Sequence, residues 1–241
     1  MSAKEPASVS TPDVRASDPA KREAAARAAT ERARVLALRD AEDTKALVAF
    51  REGDADAFAG LARRHERGIF NFCLRMLGSR SAAEDAAQEV FLKIVRAAGG
   101  WEPKAKVRTW MYAMARNHCI DELRKAKHRQ TESLDRPLSI GESDGATMLD
   151  RTADADAIRP DRGADSSKLR GHLVEAIESL PEDLREVFML REQAGLPFKE
   201  IASIVGIPEN TAKSRMRYAL EGLRGHLAKA GITRDQLQET R

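Results

Sequence analysis

The chain has 241 residues, a formal net charge of +3 and 33% charged residues, which is enough for one large domain or two small ones. Aromatic residues make up only 5%, while Ala, Leu, Arg and Glu abound, a composition typical of an all-helical protein. No apolar run approaches the ~20 residues of a membrane span, the amino terminus lacks a signal-peptide core, and Cys73 and Cys119 belong to no zinc-binding spacing. We therefore expect an all-α cytoplasmic protein with no metal, no other cofactor and no membrane insertion.

The first element along the chain is an amino-terminal extension, residues 1–42. Residues 1–19 are rich in Ser, Pro, Ala and Asp without periodicity, which predicts disorder. Residues 20–39 combine high helix propensity with few large apolar residues. This pattern fits a solvated, partly formed helix, and a contact helix for a partner is the alternative.

A first helical domain follows over residues 43–129, where apolar side chains recur at helical spacing. Ser81 and Glu84 resemble a capping box that opens a helix running to about Ala98. One face of that helix carries two acids and a side-chain amide, at Asp85, Glu89 and Gln88. A solvated face is one interpretation, and a docking face for a basic protein surface is the other.

The next helix, over about residues 105–129, is strongly basic. Residues 104–129 hold eight Lys and Arg residues against two acids. An apolar repeat marks its buried face, at Met111, Ala115, Cys119 and Leu123, and predicts that the following residues lie away from that face: Thr109, Tyr112, Arg116, Arg124 and Lys127. Such a surface can hold phosphates while unstacked bases pack on the ring, or it can be an ordinary solvated face.

A linker over residues 130–167 separates this domain from the next. It carries nine acids against four bases and no apolar periodicity, so we expect a flexible acidic tether. Helical periodicity resumes over residues 168–230, a second small domain, and a polar tail follows at 231–241.

The second domain contains a helix-turn-helix pattern. Gly206 is expected to end the first helix and Pro208 to start the second, with Asn210 or Thr211 capping the second helix. That helix carries one apolar stripe, with its cations off the stripe. A helix of this kind fits the major groove of DNA, where Arg, Lys and Asn reach base edges and phosphates.

These motifs together make the chain resemble the sigma factors of bacterial RNA polymerase, within the extracytoplasmic-function group of the sigma-70 family. The similar segments are AEDAAQEVFLK at 83–93, TWMYAMARNHCIDELR at 109–124, LPEDLREVF at 180–188, GLPFKEIA at 195–202 and IPENTAKSR at 207–215. The resemblance implies sigma domain 2 over 43–129 and sigma domain 4 over 168–230, in the order that the family uses.

The resemblance also implies three functional surfaces. Core polymerase would be bound by Asp85, Gln88 and Glu89. The minus-ten promoter element would be bound by Trp101, Arg108, Thr109, Tyr112, Arg116, Asn117 and Arg124. The minus-thirty-five element would be bound by Asn210, Thr211, Lys213, Ser214, Arg215 and Arg217.

The function implied is that of a transcription initiation factor without enzymatic activity. Its expected partners are core RNA polymerase, through the clamp helices and the flap of the large subunits, promoter DNA, and an anti-sigma factor that can hold it at the membrane. A stand-alone helix-turn-helix regulator is the main alternative, and a DNA-acting enzyme is a weaker one. An enzyme of that kind would need a carboxylate cluster for metal, and we find none in the sequence.

Overall fold

A computed structural model of the chain describes residues 19–102, 105–134 and 164–232. Within these ranges it contains eight α-helices, one 3-10 turn and no strand, which confirms the all-α prediction. The helices are α1 Pro19–Arg51, α2 Ala55–Leu77, α3 Arg80–Ala97, α4 Val107–Leu134, α5 Ala164–Glu178, α6 Glu182–Glu192, α7 Phe198–Val205 and α8 Glu209–Lys229. None of these helices is long and apolar enough to cross a membrane.

The chain divides into two compact units, 1–42 and 43–241. In the first unit, helix begins at Pro19, so the predicted helix of the extension is present. The disorder predicted for residues 1–19 falls almost wholly on residues outside the described ranges. The predicted linker is described only at its two ends, where α4 continues to Leu134 and α5 begins at Ala164.

Within the second unit, α2, α3 and α4 form an amino-terminal bundle around one apolar core. Its fully buried side chains include Leu61, Ile69, Phe72, Val90, Ile94, Val107 and Met111. The capping prediction for α3 was wrong in position, because Ser79 and not Ser81 accepts the hydrogen bond of a first-turn amide, that of Ala82, at 3.4 Å. Glu84 is instead paired with Arg80 at 2.9 Å on the helix surface.

The carboxy-terminal bundle consists of α5 to α8 and contains the predicted helix-turn-helix. Gly206 ends α7 in the left-handed conformation, with φ 77° and ψ 36°, and its amide donates to the carbonyl of Ala202 at 2.9 Å. The turn therefore forms as predicted. The cap predicted for α8 does not form: Pro208 occupies the N-cap position and no side chain caps the helix.

The two bundles are in contact, and α2 packs against α5 and α6 of the second bundle as well as against α3 and α4. Arg75 of α2 pairs with Glu178 of α5 at 3.2 Å. The Arg185 guanidinium donates to the Arg75 carbonyl at 3.3 Å, and the Gln193 amide donates to the Gly68 carbonyl at 3.1 Å. Part of α2 is consequently covered by the second bundle.

Candidate nucleic-acid interface

The carboxy-terminal half of α4 is the open part of the basic helix. Arg124 and Asn117 are exposed, and Arg124 lines a shallow open depression together with Lys125, His128 and Arg129. A hydrogen bond from Lys125 to Glu122, 2.8 Å long, lowers the pKa of the Glu122 carboxyl and raises the pKa of Lys125. Arg124 itself lies 3.9 Å from Asp121, so the cations at this end of α4 are exposed and two of them are paired with acids of the same helix.

The two aromatic residues predicted at the minus-ten surface are buried. Tyr112 is 3% exposed and Trp101 is 5% exposed. The Tyr112 ring meets Phe72 edge-on, with ring centroids 5.7 Å apart, and burial raises the pKa of its hydroxyl to about 12. The prediction that Tyr112 lies away from the buried face is wrong. Gly68 is the reason, because its missing side chain lets the Tyr112 hydroxyl lie 2.6 Å from where a Cβ atom would be.

The amino-terminal half of α4 faces the second bundle. Arg108 is 7% exposed and its guanidinium donates to the Ala194 carbonyl at 3.0 Å. Thr109 donates a hydrogen bond to Glu200 of α7. Arg116 donates to Glu186 of α6 at 2.9 Å. These residues were predicted to contact DNA, and here they contact acidic or carbonyl oxygens of their own chain.

Glu186 is a residue that the sequence analysis missed. It is 3% exposed and accepts from Arg215 of α8 at 3.4 Å as well as from Arg116. Burial raises the pKa of its carboxyl, although both arginines act in the opposite direction. The available signal was its position three and four residues before the buried Met189 and Leu190, which places Glu186 on the inward face of α6.

Helix α8 presents most of its predicted contact residues to solvent. Asn210, Lys213, Ser214 and Arg217 are exposed, and Thr211 and Arg215 are half-buried. Lys213 pairs with Glu209 at 2.6 Å. The Arg217 guanidinium lies 4.9 Å from the centroid of the Tyr218 ring and donates to its hydroxyl. Tyr218 therefore adds an exposed aromatic side chain that sequence reasoning did not select.

The predicted docking face on α3 is accessible as well. Asp85 and Gln88 are exposed, while Glu89 is half-buried and pairs with Arg96 at 3.4 Å. Leu92 and Val95 continue the same face at helical spacing and are 43% and 39% exposed. The face is thus polar at its amino-terminal end and apolar at the other, a combination that is common in protein interfaces.

A helix-turn-helix bundle and a second bundle with a basic helix define a class of two-part helical DNA-binding proteins. Residues 61–129 match the model of sigma-70 region 2, and residues 170–223 match that of sigma-70 region 4. The chain is 33% identical to the ECF RNA polymerase sigma factor SigW of Bacillus subtilis over 177 residues, which cover 73% of this chain and 92% of SigW. It is 32% identical to the RNA polymerase sigma factor CarQ of Myxococcus xanthus over 175 residues, covering 73% and 91%.

Two solved structures share the fold. CnrH in complex with the cytosolic domain of CnrY has a TM-score of 0.55 at 16% identity, covering 78% of this chain and 98% of CnrH. The sigma factor RpoE in complex with the anti-sigma factor NepR, from Bartonella quintana, has a TM-score of 0.53 at 19% identity, covering 71% and 96%. The chain belongs to the sigma-70 family, in its extracytoplasmic-function group, and is a transcription initiation factor.

Proposed function

We propose that this chain directs core RNA polymerase to its promoters through three separate surfaces. The face of α3 binds the polymerase, α4 binds the minus-ten element, and α8 binds the minus-thirty-five element. The observation that carries the proposal is the presence of two helices with exposed basic side chains, α4 and α8, on one chain that matches both sigma-70 regions. The chemistry of RNA synthesis then belongs to the polymerase, and this chain supplies binding without catalysis.

For polymerase binding, the supporting feature is the mixed character of the α3 face. Asp85 and Gln88 offer acceptors to a basic partner, and Leu92 and Val95 offer apolar area beside them. We assign this face to the clamp helices of the largest polymerase subunit. The flap of the other large subunit is assigned to the second bundle.

For promoter binding, the supporting feature is the distribution of cations. On α4, Arg124 and Asn117 are exposed and are assigned to single-stranded DNA. On α8, Lys213, Ser214 and Arg217 are exposed and are assigned to the major groove of duplex DNA. The buried Tyr112 is assigned a packing role and not a stacking role in this conformation.

We also propose that an anti-sigma factor regulates the chain. The support is that both solved structures with the same fold are complexes: CnrH with the cytosolic domain of CnrY, and the sigma factor RpoE with the anti-sigma factor NepR. The chain then works in the cytoplasm, and an anti-sigma factor with a membrane anchor can hold it at the membrane.

In vitro transcription tests the proposed function. The templates are promoters mapped from the transcript starts that appear when the chain is overexpressed, and the enzyme is purified core polymerase. Transcripts that depend on the added chain support the proposal. Specific duplex binding by the free chain, without any chain-dependent transcript, would support a stand-alone regulator instead.

Two double variants of exposed residues test the roles proposed for α3 and α8. Asp85→Ala/Gln88→Ala is expected to weaken capture of core polymerase, because it removes two polar contacts from α3. Lys213→Ala/Arg217→Ala is expected to keep polymerase binding and lower transcription from the mapped promoters, because it removes two cations from α8. Equal effects of both double variants on polymerase binding would contradict the assignment.

A further inference from the structure

We infer that residues 20–39 of α1 form a further DNA-binding element, which holds the phosphates of duplex DNA and does not read bases. These residues belong to the helix Pro19–Arg51, and we call them the basic segment of α1. None of the three surfaces in the proposed function includes the basic segment. The inference therefore goes beyond that function and depends on separate observations.

The first observation is that the positive charge of the chain is concentrated in the basic segment. Residues 20–39 hold six of the 41 Lys and Arg residues and two of the 38 Asp and Glu residues. The segment has a net charge of +4, whereas the rest of the chain, with 35 bases and 36 acids, has a net charge of −1. A local excess of positive charge attracts phosphates and releases the counterions condensed on them.

The second observation is that the basic segment is exposed. Every described side chain between Glu23 and Arg39 is exposed, except that of Leu36, which is half-buried. Arg27 pairs with Glu23 at 2.6 Å, but an ion pair between two exposed side chains contributes little and can give way to a phosphate. Arg34 is exposed and forms no ion pair with any residue that the structure describes. Both guanidinium groups are therefore accessible to DNA.

The third observation is the spacing of these two arginines. Arg27 and Arg34 are seven residues apart, so they lie on the same side of α1 and about 10.5 Å apart along its axis. The phosphates of one DNA strand recur about every 3.4 Å along the duplex axis, so three steps span about 10 Å. The two guanidinium groups consequently match two phosphates of one strand, and a guanidinium can donate two parallel hydrogen bonds to each phosphate.

The composition of the basic segment fits a nucleic acid better than a protein partner. Residues 20–34 contain no apolar side chain larger than that of Ala, whereas protein interfaces depend on large apolar and aromatic anchors. The small Ala side chains also keep the helix narrow enough to approach a duplex closely. Residues 20–39 lack Asn and Gln, whose amides pair with adenine, and this favours phosphate contacts over base contacts.

The dependence of DNA affinity on salt distinguishes a phosphate-binding segment from an ordinary solvated helix. An exposed charged face is by itself only a solvated surface, and such a surface adds nothing to the salt dependence of binding. Each phosphate contact adds about 0.9 to the slope of log affinity against log salt concentration. Loss of the Arg27 and Arg34 contacts should therefore lower that slope by about 2.

The test uses the full chain with both arginines neutralised. Arg27→Gln/Arg34→Gln removes two charges and leaves two residues that favour a helix almost as well. The matched control is Arg63→Gln/Arg67→Gln, at two exposed arginines of α2 that form no ion pair with another described residue. The control makes the same change in net charge, so it separates a loss of contacts from the general effect of charge.

The measurement is the affinity of each protein for a fluorescein-labelled duplex without promoter elements, by fluorescence anisotropy over a series of potassium chloride concentrations. We expect R63Q/R67Q to keep the wild-type slope and R27Q/R34Q to have a slope smaller by about 2. Equal slopes for all three proteins would overturn the inference, and so would equal losses of slope in the two variants. If R27Q/R34Q weakens capture of core polymerase and keeps the wild-type slope, the basic segment binds a protein and the inference is wrong.

Chain-dependent transcription from the mapped promoters is measured in parallel, so that failure of the proposed function can be recognised. If wild type gives no promoter-specific transcript while R27Q/R34Q has the smaller slope, the proposed function fails and the DNA-binding segment stands. If transcription is normal and the slopes are equal, only the inference about the basic segment fails.

A second pair of variants covers the case in which R27Q/R34Q loses helicity by circular dichroism. Glu23→Gln/Glu31→Gln removes two exposed acids from the basic segment. It should bind the duplex more tightly than Glu52→Gln/Glu66→Gln, which removes two exposed acids elsewhere. Equal duplex affinities for E23Q/E31Q and E52Q/E66Q would likewise contradict a phosphate-binding segment.

Discussion

Gly68 shows how one missing side chain decides where an aromatic residue goes. The helical repeat of α4 places Tyr112 off the apolar stripe, yet the residue is buried. The Tyr112 hydroxyl lies against Gly68 of α2, where a Cβ atom would be 2.6 Å from the hydroxyl oxygen. The spacing of apolar residues along α4 cannot predict that Tyr112 is buried, because its burial depends on a glycine of α2.

Gly68→Ala is expected to destabilise the chain by about 1 kcal/mol. Alanine in place of glycine favours a helix by about 1 kcal/mol, but overpacking against a buried, rigid ring costs about 1–3 kcal/mol. Urea unfolding measures the difference. Gly60→Ala in the same helix is the control, since its nearest atom is the Arg64 guanidinium at 3.7 Å, and it should stabilise. Stabilisation by both variants would mean that Tyr112 has room to move.

Asp43 is a buried carboxylate that fixes the end of α1 to α2. Its two oxygens meet Arg64 at 3.0 Å and His65 at 2.6 Å. Burial by itself would raise the pKa of the carboxyl, but the hydrogen bonds and charges of His65 and Arg64 outweigh burial, so the pKa is lowered from 3.8. Because the pKa is lower in the folded chain, the carboxylate stabilises the fold at pH values above its pKa in the unfolded chain. This stabilisation is lost as the pH falls through the pKa of the folded chain.

Asp43→Asn is therefore expected to cost about 2 kcal/mol at neutral pH, the scale of hydrogen bonds to a charged group. The difference from wild type should shrink as the pH falls below 3.8. Chemical unfolding over a pH series measures it. Glu66→Gln, at an exposed acid of α2, should differ from wild type by less than about 0.5 kcal/mol at every pH. A cost for D43N that grows in acid would contradict the assigned sign.

At the scale of elements, the turn of the helix-turn-helix was predictable and the helix caps were not. Gly206 between two apolar stripes indicates a left-handed residue, and the structure has it at φ 77°. The predicted caps were wrong because more than one residue near the start of a helix can occupy the N-cap position. Ser79 and Ser81 are both suitable caps, and the choice between them depends on where the backbone turns.

Gly206→Ala is expected to destabilise the second bundle by about 1–2 kcal/mol, the cost of the left-handed conformation for a residue with a Cβ atom. No atom lies within 4 Å of the added Cβ position, so the cost comes from the backbone and not from a clash. Gly225→Ala, inside α8 and equally open, should stabilise by up to about 1 kcal/mol. Thermal unfolding compares the two. The turn assignment is wrong if G206A is as stable as G225A.

At the scale of the whole molecule, sequence reasoning identified both bundles and their order but not their contact. Apolar periodicity predicts which face of a helix is buried, and it carries no information about what covers a charged face. The helical repeat placed Thr109 and Arg116 off the apolar stripe, whereas Arg108 was selected through the resemblance and is buried. Glu200 and Glu186, the partners of Thr109 and Arg116, come from helices far along the chain, and each lies in a motif that was assigned to another purpose.

The distance between the two bundles should depend on salt, because ion pairs among the described residues join them, including Arg75–Glu178, Lys106–Glu200, Arg116–Glu186 and Lys127–Glu182. The Debye length falls from about 10 Å at 0.1 M to about 3 Å at 1 M, and exposed pairs such as Lys127–Glu182 are screened first. We expect the distance between spin labels on Ser81→Cys in α3 and Ser203→Cys in α7, both exposed sites, to lengthen and its distribution to broaden with sodium chloride. Glu182→Lys/Glu200→Lys removes two of these pairs and should reduce the dependence on salt, whereas Glu192→Lys/Glu221→Lys, at two exposed acids of the same bundle, should behave as wild type. A wild-type distance that is constant across this range would show that the two bundles are held by their neutral contacts alone.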